Sequence, residues 1–232
     1  AAAASWRPVS PRRCSTPGSA PDPMRRHDLV YLQPDAAFAT SCTETGGAYW
    51  LAARDWIAAG RPLVAARQPA AGALLLGLGL PTRLQRKRLT LSVDREVIAD
   101  IRPPLAIADC LSQLPAGHAV VLARLAAQAA ACSVRLGVYG SLAWEALSGE
   151  SYRHADSDID LICDLEHVGQ FAAMLSALQQ AAAELPCRLD GELRFPGGHA
   201  SAWREIAGQL GQPNAQVLVK GEHEVGLWPL HA

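Results

Sequence analysis

A glycine–serine step, followed across one loop by a pair of aspartates, constrains this chain more than any other feature. Val138-Tyr139-Gly140-Ser141-Leu142-Ala143-Trp144 reads as an apolar strand turning into a helix, and Asp156-Ser157-Asp158-Ile159-Asp160-Leu161-Ile162 as a polar turn running into a second strand. Backbone N–H groups at the mouth of a helix hold phosphate. Acids at i and i+2 of a strand share one face, because strand side chains alternate with period two. A fold that brings the two halves together sets a phosphate cradle against a carboxylate pair able to hold Mg²⁺, which is equipment for displacement at phosphorus. Asp158 and Asp160 also flank Ile159 and run into Leu161-Ile162, so two acids enter an apparent core strand, where they need partners or a metal.

Bulk properties narrow the rest. With 232 residues, half of them hydrophobic, the chain can bury a core as one domain or two small ones. A net charge of -1 excludes a nucleic-acid or membrane-surface binder held by bulk charge, so recognition of polyanions must come from local clusters. The 6 cysteines are scattered without a CxxC pair, which points to a reducing cytoplasm. No apolar run reaches the roughly 18–20 residues of a membrane-spanning helix. Residues 1–23, rich in Pro, Ser, Ala and Arg, read as a disordered tail or as sequence upstream of a natural start at Met24, and lack the apolar centre of a secretory signal.

From Arg26 onward the pattern is that of an α/β (α+β) chain in two lobes, 24–114 and 115–232, the second with a mixed sheet flanked by helices. In the first lobe, strands are expected at 27–32, 62–67, 73–80, 89–93 and 97–101, with helices at 35–59 and 106–114. In the second, helices are expected at 119–131 and 141–147, and a long one at 166–185 capped by Asp164. Strands at 135–139, 158–163, 187–195, 217–220 and 224–228 complete the pattern, with a turn at Pro196-Gly197-Gly198.

The order strand, Gly-Ser, helix, loop, Asp-x-Asp strand, helix, acid-bearing strand resembles the nucleotidyltransferase superfamily of DNA polymerase β type. The connection from Ser141 to Asp158 is longer than in the simplest members and carries Trp144-Glu145 and Tyr152. With His27-Asp28-Leu29, Pro81-Thr82-Arg83-Leu84-Gln85-Arg86, Asp190-Gly191-Glu192 and Ala202-Trp203-Arg204-Glu205, it is similar to the malonate decarboxylase holo-acyl-carrier-protein synthase (phosphoribosyl-dephospho-CoA transferase) family over roughly residues 24–230. The resemblance implies an enzyme that moves phosphoribosyl-dephospho-CoA from 2′-(5″-triphosphoribosyl)-3′-dephospho-CoA to a serine of the malonate decarboxylase acyl-carrier subunit and releases pyrophosphate. The other readings are a nucleotidyltransferase moving AMP to a protein or small molecule, and an inactive nucleotide-binding module.

On that resemblance Asp158 and Asp160 hold Mg²⁺, Gly140 and Ser141 cradle the pyrophosphate, and a third acid completes the metal site and helps activate the serine. Asp190 suits the third place, with Glu192 the alternate on the same strand face. The run Arg83, Arg86, Lys87, Arg88 is a solvated face, or else Arg83 and Arg86 hold phosphates of the substrate or meet an acidic carrier protein, since a guanidinium binds phosphate bidentately. Lys220, ending an apolar strand, is a further phosphate contact. His154 reads as a solvated loop residue, and Trp144 as packing for its short helix.

Overall fold

The structure is a computed structural model that describes residues 24–154 and 156–230. The expected tail at 1–23 lies outside the described residues. The fold is mixed α/β, built on two sheets with a separate apolar cluster for each.

The first lobe holds β1 (Leu29–Leu32), α1 (Ala48–Ala58), β2 (Leu63–Ala65), β3 (Leu74–Gly79), β4 (Arg88–Val93) and β5 (Ile98–Arg102). These strands form an antiparallel sheet in the order β4-β3-β2-β1-β5. Period-two alternation decides its faces. Leu76, Leu78, Leu89 and Leu91 point into the core with Trp56 and Ile57 of α1, while Arg88 and Thr90 point away.

The helix expected over 35–59 is only its second half. Residues 35–47 run as turns and bends, with Ala39 bridged to Ser92 and Gly46 at φ +80°. The alanines there suggested a helix, but Ser41, Thr43 and the Gly46-Gly47 pair stop one.

The second lobe runs β6 (Leu105–Ala106), α2 (Ile107–Cys110), α3 (Ala116–Ala131), β7 (Arg135–Tyr139), α4 (Gly140–Ser148), β8 (Ile159–Asp164), α5 (Phe171–Glu184), β9 (Leu189–Arg194), β10 (Ala200–Ala202), α6 (Trp203–Gln209), β11 (Gln216–Lys220) and β12 (Val225–Pro229). Its sheet follows chain order from β6 to β12; β8 and β9 are parallel and the other pairs antiparallel. β8 is central and covered on both faces, so Ile159, Leu161, Ile162 and Cys163 are all buried. Residues 105–110, expected within the first lobe, supply β6 and α2 to this second sheet and core.

The long helix at 166–185 is shortened to α5. Gln170 accepts the amides of Glu166 and His167 through Oε1 and donates to the Cys132 carbonyl, so its side chain holds the approach in a separate short turn. Asp164 does not cap it: it ends β8 and is paired with Arg194. β10 and α6 are additions to the sequence reading.

The lobes are joined by an aromatic stack and a buried ionic network. Trp144 and Tyr152, from the second lobe, lie in the core of the first, Trp144 edge-on to Trp56 at 5.5 Å. Arg194 pairs with Asp164 through Nε and Nη2 and donates Nη1 to the Arg26 carbonyl at 2.8 Å. No helix among the described residues is long and apolar enough to cross a membrane.

Candidate active site

Strand register assembles the centre. Tyr139 of β7 faces Asp160 of β8, and Asp160 faces Asp190 of β9, so the three occupy one row across the sheet. The chain leaves β7 at Gly140 with φ +72°, a conformation that favours glycine, and enters α4 at once. A β-carbon on Gly140 would collide with Asp160 Oδ2, so the glycine also makes room for the carboxylate beside the helix mouth. The two halves of the sequence motif therefore meet in atomic contact. Across β8, Gly191 at φ +133° has its missing β-carbon against the Leu161 carbonyl, which lets β9 run close beside the acids.

These side chains open into a cleft between the lobes with a volume of about 770 Å³. The second lobe contributes Gly140, Ser141, Asp158 and Asp160; the first contributes Arg86 and Arg88 from the opposite side. Asp160 takes no hydrogen-bond donor among the described residues, and its carboxyl is pushed up to about 6. Burial is the main cause, with Asp190 and then Asp158 adding repulsion that Arg88 and Arg188 only partly offset. The Tyr139 hydroxyl is pushed upward too, by burial first and then by Glu192, Asp160 and Asp190. The start of α4, the Asp158 and Asp160 carboxylates and the Arg86 and Arg88 guanidinium groups thus line one cleft.

The donor chemistry fits Mg²⁺, a hard cation that prefers carboxylate oxygens and completes its shell with substrate phosphate and water. The carboxylates do not enclose a cation by themselves: among the described residues no group of three or more His, Cys, Asp or Glu side chains is arranged to hold one. Asp158 and Asp160 line the cleft, and Asp190 stands beside Asp160 with its carboxylate on Arg188 at 3.1 Å and on the Gly191 amide at 3.0 Å.

The other residues singled out from sequence separate. Glu192, the alternate third acid, faces cations instead: Arg26 binds it through both terminal nitrogens at 3.1 and 3.2 Å, and Lys220 at 2.8 Å. Burial alone would raise its carboxyl, but His27, Arg26 and Lys220 outweigh this and hold it well below the usual range. Lys220 is thereby engaged with Glu192 rather than standing free for phosphate. Arg83 turns away from the cleft to Glu150, at 2.6 Å through Nε, beside a separate small pocket. Arg86 lines the cleft. His154 lies on the cleft wall, its Nδ1 accepting the Asp156 amide at 3.2 Å.

Arg88, named in the basic run but not singled out for phosphate, also lines the cleft. The alternation Arg88, Thr90 against Leu89, Leu91 carried the signal, since it places Arg88 on the face away from the core. Arg26 offers no local pattern; His27, the first residue of the His27-Asp28-Leu29 segment, stacks on Tyr139 at 3.9 Å, and burial lowers its imidazole below the usual histidine range.

Comparison with known families covers nearly all the described chain. Residues 25–104 match the phosphoribosyl-dephospho-CoA transferase MdcG N-terminal domain, and residues 105–231 the C-terminal domain of the same name. A phosphoribosyl-dephospho-CoA transferase of Xanthomonas euvesicatoria pv. vesicatoria is 39% identical over 207 residues, 88% of this chain and 93% of the relative. Proteins of the same name are 32% identical from Bradyrhizobium diazoefficiens, over 90% of this chain and 92% of the relative, and 32% from Pseudomonas putida, over 82% and 86%. No solved structure matches the chain.

Proposed function

The chain belongs to the phosphoribosyl-dephospho-CoA transferase family, and from that premise we propose that it attaches phosphoribosyl-dephospho-CoA to a serine of the malonate decarboxylase acyl-carrier subunit. The donor is 2′-(5″-triphosphoribosyl)-3′-dephospho-CoA. The serine oxygen attacks the α-phosphorus, the bond from that phosphorus to the β-bridging oxygen breaks, and pyrophosphate leaves. One phosphodiester forms as one anhydride is lost.

The observation that supports this reading most is the contact of Gly140 with Asp160, which sets the helix mouth and the acids on one reacting group. The free amides at the start of α4 receive the leaving phosphates, and Arg86 and Arg88 bind them from the other lobe. Asp190, oriented by Arg188 and the Gly191 amide, takes the proton of the serine hydroxyl. Tyr139 and the turn at Gly140 fix the spacing between cradle and acids. Asp158 and Asp160 would hold Mg²⁺ together with phosphate oxygens of the donor, and when bound it supplies charge neutralisation at the phosphoryl oxygens.

The test is intact-mass analysis of the carrier subunit after incubation with the chain, Mg²⁺ and the triphosphoribosyl donor. The expected result is a carrier heavier by one phosphoribosyl-dephospho-CoA group, with none gained from Asp160→Asn. Addition of AMP from ATP, with the CoA derivative inert, would establish the nucleotidyltransferase reading instead.

A further inference from the structure

The 770 Å³ cleft is lined not only by the acids and the start of α4 but also by β3 and β4 of the first lobe. There β3 turns Leu76 and Leu78 into the core and Gly77 and Gly79 toward the cleft. Register sets Gly77 between Val64 of β2 and Thr90 of β4, and Gly79 beside Arg88. The floor is thus a patch of bare backbone edged by Val64, Thr90 and Arg88.

The two glycines differ in what the fold asks of them. A β-carbon on Gly79 would stand 2.8 Å from Trp144 Nε1, so this glycine makes room for the indole. A β-carbon on Gly77 would meet only the Val64 carbonyl, at an ordinary 3.7 Å, and its backbone is not in the left-handed region. Packing therefore gives no reason for glycine at 77, and a strand-interior glycine costs about 0.5–1 kcal/mol relative to alanine. Such a residue marks the close approach of another group.

An independent observation comes from Trp144. Trp144 lines the cleft with its Nε1–H beside Gly79, and this N–H meets no acceptor among the described residues. An indole N–H on a cleft wall can donate to whatever the cleft binds.

We propose that the bare patch at Gly77, bounded by Val64, Thr90 and Trp144, seats the adenine ring of the donor. The proposal rests on the donor named above and assigns the end of it that does not react. A planar heterocycle lies flush on exposed peptide faces and offers ring nitrogens to the indole N–H. The pantetheine arm suits the patch less well, because its amides need hydrogen-bond partners while β3 is paired along both edges. Arg88 adjoins the patch and acts on Asp160, so the path from adenine to the reacting phosphorus stays within one cavity. Trp144 thereby has two roles, packing between the lobes and closing one side of the base site.

The experiment uses the full chain with dephospho-CoA and pantetheine as separate probes. Gly77→Val places a branched side chain on the patch, where the strand tolerates it, and should raise the Kd for dephospho-CoA about tenfold or more with Tm unchanged or higher. Gly77→Ala should give a smaller rise in the same direction and serves if valine disturbs folding. Saturation-transfer NMR on the unmodified protein should put the strongest transfer on the adenine H2 and H8 of dephospho-CoA. Strongest transfer to the pantetheine methyls, or an unchanged Kd in a folded Gly77→Val, would overturn the assignment. These are binding measurements, so a failure of the transfer reaction itself would show separately in the carrier-mass assay.

Discussion

Asp160 and Glu192 sit on neighbouring strands of one sheet, both largely withdrawn from water, and their electrostatics run in opposite directions. Glu192, 4% exposed, is met by Arg26, Lys220 and His27, and its carboxyl is held far down. Asp160 is met by two other acids and no donor, and its carboxyl rises to about 6. Burial pushes both upward; partners decide the outcome. Glu192 has its counter-charge built into the chain, spanning the two lobes. Asp160 has no such partner among the described residues, and in the proposed reaction its counter-charge comes with the bound cation. The first is a strut, the second a receptor.

The largest effect should come from removing the receptor. Asp160→Asn should lower carrier modification by about a thousandfold or more, measured as the initial rate of mass gain. The same change should stabilise the ligand-free chain. Folding raises the Asp160 pKa, so its stability contribution is complete below about pH 4 and is lost as pH rises through about 6. Asparagine carries no such penalty. At pH 7–8 the variant should gain on the order of 2 kcal/mol after allowance for partial exposure, or roughly 5 °C in Tm, and the gain should vanish at pH 4. Mg²⁺ should raise the Tm of the parent chain and leave the variant unmoved. A variant that melts lower at neutral pH would erase the contrast.

Glu192→Gln tests the other side with the opposite sign. A depressed carboxyl gives stability that is present above its unfolded pKa and lost as pH falls below about 4.5. Removing it leaves Arg26, with 18% of its side chain exposed, short of its partner, and should cost about 2–3 kcal/mol at pH 7. The difference between variant and parent should shrink as pH is lowered, which a series of denaturant titrations can follow.

Gly140→Ala addresses the seam between motif halves. The left-handed backbone costs about 1 kcal/mol with a β-carbon, and the methyl must also displace the Asp160 carboxylate. A shift of this kind at a reacting centre should reduce transfer about a hundredfold, with KM for the donor changed less than kcat.

How much of this was legible in the sequence varies with the range of the interactions involved. The Gly-Ser turn and the Asp-x-Asp strand are local patterns, and the structure brings Gly140, Ser141, Asp158 and Asp160 together as read. The strands of the first lobe, with their regular alternation, were also readable. The helix start after β8 was not, because Gln170 reaches to the Cys132 carbonyl and to Glu166 and His167, which no local periodicity records. Asp190 and Glu192 looked equivalent on one strand face. What separates them is Arg26 and Lys220, distant in sequence and brought in by folding. The three-residue β10 is too short to show alternation.

The basic run gives the smallest predicted effect and sharpens the same contrast between charges already paired and charges held open. Arg83 and Arg86 were equal phosphate contacts by sequence, but Arg83 is satisfied by Glu150 outside the cleft while Arg86 and Arg88 line it. Arg83 lies in a short turn, Thr82–Leu84, that faces Glu150 just past the end of α4. An exposed pair of this kind adds little. Arg86→Ala or Arg88→Ala should raise KM for the donor about tenfold, through loss of a charge-assisted phosphate contact, and Arg83→Ala should alter it by less than about twofold. Raising the salt concentration should weaken donor binding in the parent and in Arg83→Ala alike, and more weakly in Arg88→Ala, because screening acts on charges that face the ligand across water. Equal losses at all three positions would mean that Arg83 leaves Glu150 when the donor binds, and the division between paired and open charges would then hold only for the empty cleft.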